Sequence, residues 1–146
     1  MKLRRIDDKK EIEEKRQEGL FESELRYLDD NDVLCYVEEE NDIVAIIRMS
    51  EDVEESNSVW IDEFEVLKRY RGQGKGKFII EQFIIEQFIK RHNLRVRLCA
   101  KNKMVAKFWK KCGFKEENEG DIEIYMYWEG KDELKTESSH RPYEIR

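Results

Sequence analysis

The stretch YRGQGKGK, residues 70–77, places glycine at alternate positions among basic side chains. It joins a strand-like run, VWIDEFEV (59–66), to a helix-like run, FIIEQFIIEQFIK (78–90). Glycine loses much backbone freedom on folding, so three glycines at one turn need a physical reason. Without side chains an anion can reach the backbone, where the first N–H groups of a helix have no partners. The spacing therefore predicts a site for a phosphate-bearing ligand.

Two familiar phosphate-binding patterns do not fit this stretch. A Walker A loop requires Ser or Thr after its lysine, but Phe78 follows Lys77. A dinucleotide fingerprint that starts at Gly72 requires a third glycine where Lys77 stands. What remains is R-x-x-G-x-G, from Arg71 to Gly76, which opens a helix directly after a strand.

The charge distribution also indicates an anionic ligand. The chain has 146 residues and a formal net charge of −6. Residues 67–111 carry fourteen Lys and Arg against two Glu, a balance of +12, and the rest of the chain carries −18. A basic segment in an acidic protein favours either a polyanionic cofactor or a nucleic-acid surface.

Composition limits the class of protein. The length predicts one domain, residues 1–129, followed by a polar C-terminal tail, 130–146. No secretory signal and no membrane-spanning run are visible, and three widely spaced cysteines are typical of reduced thiols. We therefore expect a cytoplasmic protein without a membrane partner and without a metal site.

Periodicity and turn signals predict the order of the elements. We expect strands at 2–6, 33–39, 42–50, 59–66, 94–100, 114–118 and 122–128, with a hairpin turn at Asn41-Asp42. Helices are expected at 8–18, 20–28, 78–90 and 102–111, the last with Asn102 as N-cap and Gly113 just past its end. The order predicts an α/β (α+β) fold with a mostly antiparallel central sheet flanked by helices.

The tandem repeat FIIEQFIIEQF (78–88) is unusual for a helix. In an α-helix a five-residue repeat rotates by about 140°, so its apolar residues spread around the helix. We expect this helix to be buried on more than one side, either within the monomer or in a homodimer interface.

Two segments resemble the GNAT superfamily of N-acetyltransferases. IDEFEVLKRYRGQGKGKFII (61–80) is similar to its acetyl-CoA signature, a strand, [QR]-x-x-G-x-[GA] and a helix. NKMVAKFWKKCGF (102–114) is similar to its downstream N…A…F-Y-x-x-x-G-F segment. The resemblance implies a GNAT-like strand–helix–strand–helix core that binds acetyl-CoA as co-substrate.

The resemblance also implies roles for individual residues. The phosphates would lie on the backbone of residues 72–77, which we call the glycine loop. Backbone N–H groups around Phe64, Glu65 and Val66 would polarise the thioester carbonyl. Asn102 fits either a bond to the pantetheine amide or its N-cap role, and Trp109 would pack along the cofactor arm or in the core. The candidate cofactor-binding residues are therefore Phe64, Glu65, Val66, Arg71, Gly72, Gln73, Gly74, Lys75, Gly76, Lys77, Asn102 and Trp109.

A carboxylate on the same strand is the candidate general base. Asp62, Glu63 and Glu65 are available, and we favour Glu63 or Asp62, acting directly or through water. Simple alternation puts Glu63 and Glu65 on one face and Asp62 on the other, but a bulge, common in the family, would break that parity.

The general acid is where the chain departs from the family. The family often has Tyr after Phe in the second motif, whereas Trp109 follows Phe108 here. An indole N–H donates a hydrogen bond but does not titrate. The thiolate would then leave with help from solvent or from Tyr125 or Tyr127, or the protein would not catalyse.

These features together predict an N-acetyltransferase that acts on a primary amine, either a small cationic molecule or a protein amine. The alternative is a non-catalytic acyl-CoA-binding or nucleic-acid-binding module that uses the basic segment 67–111. Nucleic acid is the less favoured partner, because the cations cluster at a turn rather than alternating with aromatics on one face.

Overall fold

The computed structural model describes residues 1–22, 32–117 and 123–128, and the alternation of strands and helices agrees closely with the sequence pattern. The strands are β1 (Lys2–Ile6), β2 (Asp32–Glu39), β3 (Asp42–Glu51), β4 (Ser58–Val66), β5 (Arg95–Ala100), β6 (Phe114–Glu116) and β7 (Ile124–Trp128). The helices are α1 (Lys9–Gln17), a 3₁₀ turn (Lys68–Tyr70), α2 (Lys75–Phe78), a π-helical segment (Ile79–Ile89) and α3 (Lys103–Lys111).

All seven described strands form one sheet in the order β1-β2-β3-β4-β5-β7-β6. Neighbouring strands are antiparallel except β4 and β5, which run parallel. A parallel pair needs a crossover connection, and the chain from Lys68 to Leu94, with its helix, supplies it. The predicted fold class, mixed with a mostly antiparallel sheet, is confirmed.

The sheet is covered on both faces. On one face α1 packs over a small cluster that includes Ile12, Leu34 and Tyr36. On the other face the π-helical segment and α3 bury the larger cluster, which includes Cys35 and Val37 from the same strand β2. Alternate residues of β2 thus enter opposite clusters, as the period of a strand requires when both faces are buried.

Two local expectations need correction. The β2–β3 hairpin turns at Glu40 and Asn41, with φ of 52° and 71°, because Asp42 already pairs with Glu39. Positive φ at both central residues is what the favoured two-residue hairpin turn requires. Of the helix expected at 20–28, residues 20–22 are not helical, and residues 23–28 lie outside the described residues. The tail 130–146 also lies outside them.

The expectation that the five-residue repeat spreads around its helix is wrong. The segment winds as a π-helix, in which each N–H bonds to a carbonyl five residues earlier, as Lys90 N does to Ile85 O at 2.9 Å. Residues five apart therefore lie close to one another on the helix surface. The isoleucines are all buried in the core of this chain, at positions 79, 80, 84, 85 and 89.

This arrangement gives the repeat an apolar face inside the monomer, while Gln82, Glu86 and Gln87 are exposed. The homodimer interface stays a prediction. None of the helices in the described ranges is both long and apolar enough to cross a lipid bilayer.

Replacing Ile84 by alanine should lower the free energy of unfolding by about 2–5 kcal/mol, because its side chain is fully buried and leaves a cavity. Gln82→Ala, two positions away on the exposed side, should change it by less than about 0.5 kcal/mol. Urea unfolding of both variants measures the difference. Equal losses would contradict the buried isoleucine face.

Candidate active site

A cleft opens where β4 and β5 part. Their parallel pairing runs from Ser58↔Arg95 to Ile61↔Leu98 and then stops. Residues 62–66 of β4 continue without a β5 partner, while Cys99 and Ala100 pair with β7 on the other side. The space between the strands is a cavity of about 800 Å³.

A bulge in β4 decides which side chains enter this cleft. Arg48 of β3 pairs with Glu63, but the next residue, Met49, pairs with Ile61, so Asp62 is the extra residue. Ile61 and Phe64 consequently contact the same large core cluster although they are three positions apart. The bulge that the sequence analysis allowed for is therefore present, and it interrupts the alternation of side chains along β4. Glu63 and Glu65 lie on the face opposite to Phe64.

Asp62 and Glu63 lie side by side in the cleft but in different environments. Glu63 is bound by Arg48, whose Nη2 and Nε lie 2.7 Å and 3.1 Å from Oε1. Arg48 Nη1 also donates to Asp32 at 3.3 Å. Partial loss of hydration raises the pKa of Asp62, although a hydrogen bond with Ser50 and the charge of Arg48 oppose the rise. Asp62 is therefore a candidate for the kind of proton acceptor that acid–base chemistry uses.

Glu65 is tied to the glycine loop. Its Oε2 accepts the backbone N–H of Glu22 at 2.8 Å and lies 3.3 Å from Arg71 Nη2. Arg71 Nη1 lies 3.3 Å from Glu22, and its Nε donates to the carbonyl of Val66 at 2.8 Å. Arg71 thus joins the loop, the end of β4 and residue 22, and Glu65 is engaged in that contact.

The inner edge of β4 presents backbone N–H groups to the cleft. Leu67 N donates to Val44 O of β3 at 2.9 Å, and alternation along an antiparallel ladder turns Glu65 N toward β3 as well. The N–H groups of Phe64 and Val66 then point away from β3. The Val66 carbonyl that Arg71 binds faces the same way. A carbonyl oxygen placed in the cleft would find fixed donors there.

The three loop glycines are required for two different reasons. Gly72 and Gly74 have φ of +78° and +73°, and a Cβ on either would meet nothing within 4 Å. Their backbone conformation, not crowding, calls for glycine. Gly76 is required by a close approach, because its Cβ would lie 3.2 Å from the ring of Phe108 and 3.5 Å from Val66.

The start of the helix leaves backbone donors without helical partners. Gly74 is the N-cap of α2 and has no side chain to cap it, and the first helical bond there runs from Phe78 N to Gly74 O. The N–H groups of Lys75, Gly76 and Lys77 precede that bond and have no partner within the helix. Gln73 stays within the loop, where its side-chain amide donates to Arg69 O.

The basic side chains of the segment are largely neutralised. Lys75 lies 2.9 Å from Glu39, and Lys77 lies 3.0 Å from Glu81. Among the described residues, eight of the fourteen cations of 67–111 have a carboxylate partner: Arg69, Arg71, Lys75, Lys77, Lys90, Arg95, Arg97 and Lys110. The excess positive charge predicted from sequence is therefore weaker on the folded surface.

The second motif builds the other wall of the cleft. Asn102 is the N-cap of α3, and its Oδ1 accepts the N–H of Val105 at 2.9 Å. Trp109 is 6% exposed and lines the cavity, with ring centroids 5.9 Å from Phe64, 5.2 Å from Phe108 and 5.1 Å from Phe114. The indole is therefore a rigid part of this wall.

The two tyrosines considered as acids lie elsewhere. Tyr125 and Tyr127 are on β7, paired with Cys99 and Arg97, and neither lines the described cavity. The Tyr125 hydroxyl donates to Glu123 at 2.6 Å, and that bond raises its pKa. Both effects make Tyr125 a poor proton donor to the cleft.

Sequence reasoning missed two cations that line the cleft, Arg48 and Lys101. Arg48 had a signal, since it is the one charged residue inside the apolar run VAIIRM of β3. Such a charge in a buried strand needs a partner, and it finds Glu63. Lys101 had none, because its place at the cleft depends on where β5 separates from β4.

Comparisons with known proteins bear on the family and the fold of the chain. A model of the acetyltransferase (GNAT) family matches residues 2–114. A search of curated proteins found no significant match.

Three solved structures show the similarity of fold. A chimera of the Vibrio cholerae spermidine N-acetyltransferase SpeG and hSSAT has a TM-score of 0.68 at 16% identity, covering 88% of this chain and 96% of that one. A candidate streptothricin acetyltransferase from Bacillus anthracis, in complex with acetyl-CoA, has a TM-score of 0.55 at 28% identity. The match covers 70% of this chain and 65% of that one. The PaiA N-acetyltransferase of Thermoplasma acidophilum, in complex with coenzyme A, has a TM-score of 0.55 at 16% identity. The match covers 68% of this chain and 62% of that one.

Proposed function

This chain belongs to the GNAT family of acetyltransferases, and from that premise we propose that it acetylates a small, positively charged primary amine. It is an acetyl-CoA-dependent N-acetyltransferase. The observation that carries the proposal is the open β4–β5 cleft, in which one strand edge offers both backbone donors and the carboxylate of Asp62. The candidate streptothricin acetyltransferase, similar over 70% of this chain, was solved with acetyl-CoA.

The glycine loop fits the phosphates of acetyl-CoA. The N–H groups at the start of α2 have no partner within the helix, and Gly72 and Gly74 bring no side chains to the approach to the backbone. Each phosphate charge near a helix N-terminus gains about 0.3–1 kcal/mol from the helix dipole at an exposed site. Lys75 and Lys77 are near enough to exchange their carboxylate partners for phosphate oxygens.

The edge of β4 performs the positioning and the charge stabilisation. Acetyl-CoA, when bound, supplies a thioester carbonyl whose oxygen becomes negative as the amine attacks. The N–H groups of Phe64 and Val66 are fixed by the β3–β4 ladder, so they need no rearrangement to stabilise that charge. Phe64 itself is held by its stacked contact with Phe108, at 6.3 Å between ring centroids.

Asp62 acts as the general base. An alkylammonium has a pKa of about 10.4 and must lose a proton before its nitrogen can attack. Asp62 lines the cleft and has no ion pair among the described residues, whereas Glu63 is engaged with Arg48 and Glu65 with Arg71. Glu63 then acts as a positioning residue that holds Arg48 beside the acceptor.

The charge of the cleft favours a cationic acceptor. Among the described residues, four carboxylates line it, Glu22, Asp62, Glu63 and Glu65, against the two cations Arg48 and Lys101. A negative cleft raises the local concentration of cations and disfavours acceptors that carry a carboxylate beside the amine. Acetylation of the cation spermidine by the similarly folded SpeG is consistent with this preference.

Replacing Gly74 by aspartate should abolish stabilisation by acetyl-CoA, because the new carboxylate would occupy the phosphate position. Gly19→Asp is a matched control: Gly19 has φ of +72°, its Cβ would also meet nothing within 4 Å, and it follows α1, outside the glycine loop. In thermal unfolding, the midpoint temperature should rise with increasing acetyl-CoA in the wild type and in Gly19→Asp, but not in Gly74→Asp. A normal rise in Gly74→Asp would contradict the phosphate placement.

Asp62→Asn should lower kcat by about 10²- to 10⁴-fold, the usual contribution of a general base, while the dissociation constant of acetyl-CoA stays unchanged. Only the ionised carboxylate accepts a proton, so kcat/KM should fall as the pH drops through the raised pKa of Asp62. That fall should be absent in the variant. Asp52→Asn, in the β3–β4 loop, is the control and should behave like the wild type.

Release of coenzyme A thiol should depend on acceptor charge. With monoamines, diamines and triamines of equal concentration, kcat/KM should rise with charge and fall with added salt, because screening weakens the attraction of the cleft. Amino acids, whose carboxylate lies beside the amine, should be the poorest acceptors. Equal rates for all of them would contradict a cationic acceptor without excluding acetyl transfer.

A further inference from the structure

The departing thiolate needs a proton that the cleft must supply. When the amine nitrogen forms its bond to the carbonyl carbon, the C–S bond breaks and its electron pair stays on sulfur. Trp109 stands on the wall beside the reacting strand, but an indole N–H does not give up its proton. Its ring is also wedged between Phe64, Phe108 and Phe114.

The other side chains that line the cavity leave few proton donors. Carboxylates are ionised near neutral pH, and a guanidinium such as Arg48 keeps its proton. Cys99 lines the cleft, but a thiol is no stronger an acid than the leaving thiol, and some loss of hydration raises the pKa of Cys99 further. Lys101 is the remaining donor of the described lining.

Lys101 is placed to reach the cleft and is not committed elsewhere. It follows the last residue of β5, directly before the N-cap of α3, and lines the cavity with Val105 and Trp109. Its side chain is exposed, and no carboxylate of the described residues is in ion-pair contact with it. Lys75 and Lys77, by contrast, are paired with Glu39 and Glu81.

From this placement we propose that Lys101 is the proton donor to the thiolate of coenzyme A, a role that the indole of Trp109 cannot perform. The inference rests on the proposed acetyl transfer. Lys101 gives one proton to sulfur, Asp62 takes the proton that the nitrogen loses, and solvent returns a proton from Asp62 to Lys101. In model peptides an alkylammonium and a phenol have similar pKa values, about 10.4 and about 10, so lysine can do the work of a tyrosine here.

Three variants test the proposal. Lys101→Met removes charge and proton, Lys101→Arg keeps the charge but cannot release a proton, and Lys103→Met removes an exposed lysine two positions away. Steady-state acetylation of a diamine gives kcat, and calorimetry gives the dissociation constant of acetyl-CoA. We expect Lys101→Met and Lys101→Arg to lower kcat by about 10²-fold each with unchanged acetyl-CoA binding, and Lys103→Met to match the wild type.

Wild-type kcat in Lys101→Arg would show that only charge matters and would overturn the proposal. Undiminished turnover by Lys101→Met, or an equal loss in Lys103→Met, would overturn it too. These outcomes leave acetyl transfer itself intact. A wild-type protein that binds acetyl-CoA but acetylates no amine would instead overturn the proposed function and this inference together.

Discussion

The end of pairing between β4 and β5 after Ile61 is the constraint on which the site depends. Up to that point the two strands pair with each other, and beyond it β4 keeps only β3 and β5 keeps only β7 as a paired neighbour. An unpaired strand edge inside a protein is costly unless something satisfies it. Here the edge lines a cavity, so its N–H groups are available to a ligand. The bulge at Asp62 lies at the same place and turns its carboxylate into the opening.

Ion pairs then distinguish the carboxylates that line the cleft. Arg48 lies between Glu63 and Asp32, and Arg71 lies between Glu65 and Glu22. Each group holds two negative charges around one positive charge, which keeps the cleft acidic while immobilising the side chains. Asp62 belongs to neither group. Arg71 also connects the glycine loop to the end of β4.

The π-helical segment connects the glycine loop to the core. Wider winding places residues five apart near one another, so the FIIEQ repeat becomes a buried row of isoleucines with an exposed polar side. This row fixes the helix whose first turn presents the loop amides. Close packing at Gly76, against Phe108 and Val66, ties that same turn to α3 and to β4.

Much of this protein could be predicted from residues that are adjacent in sequence. Strand and helix order, the N-cap at Asn102, the left-handed Gly113 and the glycine loop all follow from local patterns, since each depends on neighbours a few positions away. The family motifs confined the candidate base to three consecutive or nearly consecutive carboxylates. Local pattern alone could not choose among them.

Our proposal of Asp62 rests on contacts between distant segments, which only the tertiary structure decides. Arg48 neutralises Glu63 because β3 lies beside β4, and Glu65 is engaged because residue 22 and the loop meet at the same edge. The winding of the long helix, the place where β5 leaves β4, and hence the position of Lys101, are likewise set by packing. Sequence determined which groups exist, and the fold determined which of them remain free to react.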